Sequence, residues 1–230
     1  MKILRHKSGN ANMYFIRQSV GWILVDAGRK SKRKLLIRFM MEHKINPCDI
    51  HFIFITHVHY DHVGNLKWLQ QWTKAKIIVH KDAVENLEMG WMDNLKASTI
   101  LAKLLLRMGN LFAKSIRFDG VKSDMIISYD SNLSEYGFSA KILHTPGHTT
   151  GSISLVVDDR YAFVGDLCFN LPLSKHVVPP LYQDYKAVYD SWEKLNAVGV
   201  TEFYPGHGNK FSISKFLDSF ARLKRIATKS

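Results

Sequence analysis

Cysteine is nearly missing. Cys48 and Cys168 are the only two among 230 residues, far apart and in no CxxC spacing, which excludes a disulfide framework and a thiolate zinc site. Any metal must then be held by histidine and carboxylate. Long apolar runs are missing too: no stretch approaches the roughly 20 uninterrupted apolar residues that span a bilayer. The opening MKILRHKSGN has charge without the apolar segment of a signal peptide, so the expected compartment is the cytoplasm. No Pro/Gly/Ser-rich linker, low-complexity tract or internal repeat interrupts the chain, and one domain over 1–230 is expected. Acid is in deficit. Thirty-two Lys and Arg against 20 Asp and Glu give a net charge of +12, which favours anionic substrates, nucleic acid or acidic lipid without choosing among them. Six of the bases crowd GRKSKRKLLIRFM, residues 28–40, with no acid between them, and the tail ARLKRIATKS adds more; the ordinary reading of such runs is a solvated helix face or a fraying terminus.

What is present is a substantial apolar content, 46%, enough to bury a core. MYFIR and WILVD, joined by QSVG, read as a hairpin, and SKRKLLIRFMMEHK places Leu35, Leu36, Phe39 and Met40 on helical spacing. IHFIFI is continuously apolar, as a buried strand should be, and NLKWLQQW reads as a short helix after it. KIIVH predicts a further strand. STILAKLLLRMGNLFAK predicts an unusually apolar helix over 98–114, a core helix, a lid, a dimer contact or a lipid contact. The second half repeats the pattern with strands at SAKILH, SISLVV, YAFVG and EFYP, a helix from about Tyr182 to Val198, and a last helix from about Ser212. Strands in two sets, each followed by helices, suggest two packed sheets covered by helices.

Between the IHFIFI strand and the next helix lies FITHVHYDHVGN, residues 54–65, with three histidines and an aspartate in six positions. Side chains along an extended segment share a side every second residue, so His57, His59 and Asp61 are expected to converge on one point, with a turn swinging His62 to a neighbouring one. Two adjacent metal positions follow, and imidazole with carboxylate suits zinc, or iron or manganese. Four ligands do not fill two sites. The chain offers three more at strand ends beside turn-forming glycines: His148 in ILHTPGHTTGS, Asp166 in AFVGDLCF and His207 in FYPGHGN.

These motifs, THVHYDH, TPGHTTGS, the GD at 165–166 and the GHG at 206–208, resemble the metallo-β-lactamase superfamily in order and separation, over nearly the whole chain. The resemblance implies an α/β fold, a four-layer αββα sandwich of two mixed β-sheets flanked by helices, with a binuclear metal centre at one edge. It implies that His57, His59 and His148 hold one divalent cation, that Asp61, His62 and His207 hold the other, and that Asp166 bridges them. Zinc is the expected metal, with iron or manganese as alternatives. A hydroxide held between the cations would be available near neutral pH, with Asp61 as the catalytic residue that orients it and moves its proton.

Other residues carry plainer expectations. His144 and His80 end strands and are expected to serve structure or capping, and His6, His43, His51 and His176 are read as ordinary. Cys168 shares the extended side of Asp166 and is expected as a buried apolar residue. Asn12 and Asp26 resemble turn-fixing positions of the family's first hairpin, and Phe169, Tyr182 and Tyr185 are candidate pocket walls. The expected activity is hydrolysis of an ester, thioester or lactone of a small substrate, and the charge of +12 leaves an anionic one open. A phosphodiesterase acting on nucleotide, RNA or phospholipid head groups is the second reading, and a nucleic-acid-binding protein with a structural metal the third. A homodimer through the apolar helix is the partner expectation beyond a small-molecule substrate.

Overall fold

Alternation along the strands organises the computed structural model, which describes residues 1–92, 95–97 and 117–227. The first half contributes β1 (Lys2–Ser8), β2 (Ala11–Arg17), β3 (Trp22–Val25), α1 (Arg33–Glu42), β4 (Ile50–Phe54), α2 (Tyr60–Val63), α3 (Leu66–Thr73), β5 (Lys76–His80), α4 (Val84–Met89) and β6 (Lys96–Ala97). The second contributes β7 (Met125–Ile127), β8 (Ser131–Asn132), β9 (Ala140–His144), β10 (Ile153–Val157), β11 (Tyr161–Asn170), β12 (Leu181–Tyr182), α5 (Tyr185–Val198), β13 (Glu202–Gly208), β14 (Phe211–Ser212) and α6 (Ile213–Ala227).

Successive side chains of a strand face opposite ways, and here each way is covered. In β2, β3 and β4, Met13, Phe15, Leu24 and Ile53 pack toward α1 and α3, while Tyr14, Ile16, Ile23, Val25, Phe52 and Phe54 pack toward the other half of the molecule. That half answers with Leu155, Val157 and Phe163, and turns Val156, Val164 and Phe203 outward onto Trp192, Leu195 and Phe216 of α5 and α6. Three apolar layers between four layers of secondary structure make an αββα sandwich. It also explains why IHFIFI is apolar past the exposed His51: from Phe52 onward both of its faces are interior.

Each half is a mixed sheet. The first runs β1-β2-β3-β4-β5-β7, antiparallel at its hairpins and parallel from β3 onward; the second runs β14-β13-β11-β10-β9-β8, with β11 and β13 parallel. A single backbone rung, His207 opposite Ala11, joins them into one path. Asn12 Nδ2 reinforces it by donating to Pro205 O at 2.9 Å and Gly208 O at 2.8 Å, and the Tyr14 hydroxyl donates to Pro205 O at 2.7 Å.

Several expectations are corrected. Lys2–Ser8, for which no element was expected, is a strand, its charges exposed along a sheet edge while His6 and Ser8 turn inward. Leu35 does not join the buried stripe of α1, which rests on Leu36 and Met40. The helix expected from Tyr182 starts at Tyr185, because Asp184 caps it by accepting from Lys186 N and Ala187 N. The apolar helix expected over 98–114 lies outside the described residues. Among the described residues no helix is long and apolar enough to cross a membrane.

Candidate metal centre

The strand ends bring the chemistry-bearing residues to one rim. After β4, Thr56 leaves the sheet, and its carbonyl accepts from Ile153 N at 2.9 Å, so the segment sits between the two halves. His57 follows in a bend and His59 in extended backbone, and the chain turns helical at Tyr60, where His62 N and Val63 N both donate to His59 O. Asp61 therefore does not share a side with His57 and His59. The structure groups His57, His59, His148 and Asp166 on one hand and Asp61, His62 and His207 on the other, so the strict alternation expected for His57, His59 and Asp61 does not hold past Tyr60.

All seven are buried, none more than 8% exposed. Asp166 stands between the groups: its Oδ2 lies 3.6 Å from His148 Nε2, 3.8 Å from His57 Nε2 and 3.3 Å from His207 Nε2, and its Oδ1 lies 3.4 Å from His62 Nε2. His148 Nε2 and His59 Nδ1 face each other at 3.1 Å, and His207 Nε2 stands 3.6 Å from Asp61 Oδ2. Gly206 is required at this spot, since a Cβ there would stand 2.2 Å from Asp166 Oδ1.

The far nitrogens of four histidines are occupied, which leaves Nε2 as the inward atom of each. His62 Nδ1 donates to Asp26 Oδ2 at 2.8 Å, His148 Nδ1 to Leu181 O of β12 at 2.9 Å, and His207 Nδ1 to Asn10 O at 2.9 Å; His57 Nδ1 lies 3.0 Å from Thr56 Oγ1. Asp26 is the keystone. It is buried at φ 61, and besides His62 it takes Thr56 N–H at 2.9 Å and the Thr56 hydroxyl at 3.0 Å on Oδ1. Sequence reading gave Asp26 a turn-fixing role and overlooked Thr56. Asking which acceptor each ligand-like histidine would need behind it points to both, since a carboxylate and a hydroxyl directly precede the motif on adjacent strands.

Electrostatics divide the cluster. Burial holds His57, His59 and His148 below the usual imidazole range. Burial also opposes charge on His62 and His207, but Asp166 and Asp61 outweigh it at both, with Asp26 adding to them at His62, carrying His62 up to about 10 and raising His207. Asp166, in turn, is held ionised against its own burial by His207, His62 and His57. Carboxylate charge converging in a dry site favours a cation there. His57 Nε2 and Asp166 Oδ1 are buried without a hydrogen-bond partner, a costly arrangement that coordination relieves. The donor set of imidazole and carboxylate therefore fits a divalent metal.

A third group, His80, Asp82 and His144, also gathers, but its geometry is that of a support. The two rings stack at 3.8 Å and 9°, so their lone pairs run parallel rather than converge; His144 Nε2 donates to Thr150 O and His80 Nδ1 caps Asp82 N. Cys168 is fully buried beside Trp192 on the helix side, its thiol pushed up by that burial. The register of β11 shifts between Gly165 and Phe169, so Phe169 reaches the site, stacking on the His207 ring at 4.9 Å and 12°. Tyr182 and Tyr185 pack on each other at 3.8 Å beside the carbonyl that holds His148.

Known proteins are similar to this chain. A hydroxyacylglutathione hydrolase of Pelagibacter ubique is 26% identical over 211 residues, covering 87% of this chain and 71% of its own length. An acyl-coenzyme A thioesterase of Homo sapiens is 26% identical over 223 residues, 91% of this chain and 77% of that protein. The crystal structure of TTHA1623 in a di-iron-bound form superimposes with a TM-score of 0.67 at 21% identity, over 95% of this chain and 98% of that one. The family profile of the metallo-beta-lactamase superfamily matches residues 7–207; it begins inside the first strand and ends on the last of the seven converging residues, and the chain belongs to that superfamily.

Proposed function

We propose that this chain is a hydrolase that uses two divalent cations to cleave thioesters of small acids, with esters and lactones as related substrates, and that residues 1–230 act as one catalytic unit. The observation that carries the reading is the sharing of Asp166 by two buried ligand groups, four of whose five histidines are held from behind. In it His57, His59 and His148 hold one cation, Asp61, His62 and His207 the other, and Asp166 both. Cations there supply Lewis acidity and acidify a water toward neutrality.

The chain's own residues do the rest. Asp61, buried beside His207 and His62, has a carboxylate positioned to accept a proton from an attacking water and pass it to the leaving group. Asp26 and Thr56 fix the tautomers of His62 and His57, and Phe169 covers the His207 ring and keeps that side dry. Support for a thioester comes from the two relatives whose names specify one or an acyl-glutathione. Zinc is the metal favoured by the donor set, and the di-iron neighbour makes iron the alternative.

The test is elemental analysis of protein purified without added metal, paired with thioester, lactone and bis-p-nitrophenyl phosphate substrates. Two cations per chain and preference for the thioester are expected. In Asp166→Ala, metal and turnover are expected to vanish while the circular dichroism spectrum is kept. Faster cleavage of the phosphodiester, or full turnover by a metal-free variant, would sink the assignment.

A further inference from the structure

The six basic residues between 29 and 38 go to different places. Lys30 pairs with Asp119 at 2.8 Å, Arg38 with Glu42 at 2.7 Å along α1, and Arg33 lies 4.7 Å over the Trp68 ring while donating to Asn65 Oδ1. Lys34 is exposed. Arg29 goes to the metal centre. Its Nη2 stands 3.5 Å from Asp61 Oδ2, donates to the Tyr60 hydroxyl at 2.9 Å and to Asn10 Oδ1, and its guanidinium lies 5.0 Å over the Tyr60 ring.

Both anchors belong to the site. Tyr60 precedes Asp61 in the chain, and the Asn10 carbonyl is the group that accepts from His207, so the guanidinium is seated on the side of Asp61, His62 and His207. Its stem crosses the β1–β2 turn at Gly9, where φ is +76 and a Cβ would already stand 3.4 Å from Arg29 Cδ.

Those contacts do not exhaust its donors. The 3.5 Å approach to Asp61 is long for a charge-assisted hydrogen bond, which closes to about 2.7–2.9 Å. Nη1 makes no hydrogen bond among the described residues, and the buried Nε has no partner. The side chain is 28% exposed. A planar cation with Nη1 to spare, stacked on an aromatic ring and partly open to solvent beside the reacting centre, is suited to hold an oxyanion while keeping its anchors, which the point charge of a lysine cannot do.

From this seat we infer that Arg29 is a specificity residue: it binds an oxyanion, carboxylate or phosphate, that the substrate carries away from the scissile bond. The inference rests on the hydrolase reading and narrows it to anionic substrates.

The experiment compares acetyl thioesters of three thiols, N-acetylcysteamine without charge, glutathione with carboxylates and coenzyme A with phosphates, on wild type, Arg29→Ala and Arg29→Lys. Arg29→Ala is expected to cut the preference in kcat/KM for the anionic thioesters over the neutral one at least tenfold, through KM rather than kcat, with metal content and melting temperature kept. Arg29→Lys restores only part of the preference. Which anionic thioester responds distinguishes carboxylate from phosphate. Equal loss on all three thioesters, or loss of metal, overturns the inference and leaves Arg29 a support for Asp61. Calorimetry with glutathione, coenzyme A and inorganic phosphate gives a readout without turnover: at least one should bind wild type more tightly than Arg29→Ala. Wild type that cleaves none of the thioesters defeats the hydrolase reading, whereas failure of all three probes to bind, or equal binding by Arg29→Ala, defeats the role of Arg29.

Discussion

Asp26 carries more hydrogen bonds than its place in a turn suggests, and both its oxygens are acceptors. An amide has one acceptor oxygen, so Asp26→Asn sets a donor against either Thr56 N–H or His62 Nδ1–H whichever way it lies. Facing His62, it pushes the imidazole proton onto Nε2, the atom turned toward Asp166. Metal affinity is expected to fall roughly 10–100-fold, read by competition with a chromophoric chelator, with the backbone at φ 61 tolerated because asparagine accepts that conformation. Tight metal binding by the variant would show that the tautomer is set elsewhere. His6 is a second buried imidazole, packed on Phe39 at 4.9 Å, and burial lowers its pKa to about 4. The unfolded chain takes up that proton from about pH 6.5 downward while the folded chain refuses it until about pH 4. Stability is therefore lost as pH falls across that window. His6→Leu should flatten the fall in melting temperature between pH 7 and 5 relative to wild type, and parallel curves would contradict it.

Among the elements, α5 does more than cover the sheet. Gln183 N and Asp184 N donate to Gly147 O, and Ser191 Oγ donates to Pro146 O, so the turn that presents His148 is tied to the start of the helix. Removing the cap with Asp184→Ala is expected to cost about 1 kcal/mol, a drop of roughly 2–4 °C in melting temperature for a domain of this size. Asp184→Asn, which still accepts, should restore most of it. The elements legible in the sequence are those whose pattern comes from burial: β4 and β10 by apolar runs broken only at His51 and Ser154, α5 by its stripe, and the ligands because each follows such a run. What was not legible depends on contacts between distant segments. β1 reads as charge because an edge strand is blunted with lysine and arginine. The helical turn at Tyr60 and the register shift in β11 each overrule alternation by one step, and so decide that Asp61 joins His62 and that Phe169, not Cys168, meets the histidines.

At the scale of the whole molecule, two mixed sheets share one backbone rung, and the strand that supplies it also supplies His207. Asn12 holds that seam with both of its side-chain donors. Asn12→Ala leaves two carbonyls without those donors at an expected cost of roughly 1–3 kcal/mol. The site of Asp61, His62 and His207 should then empty before the other in a chelator titration followed by elemental analysis; simultaneous loss would mean the seam does not govern His207. Since the proposed cations draw ligands from both sides of that rung, their binding energy is also energy for keeping the halves together. Metal supply then sets how long the protein lasts as well as how fast it turns over: a cell short of the cation would lose this chain to its proteases, and the seam at Ala11 and His207 is where the first opening would occur.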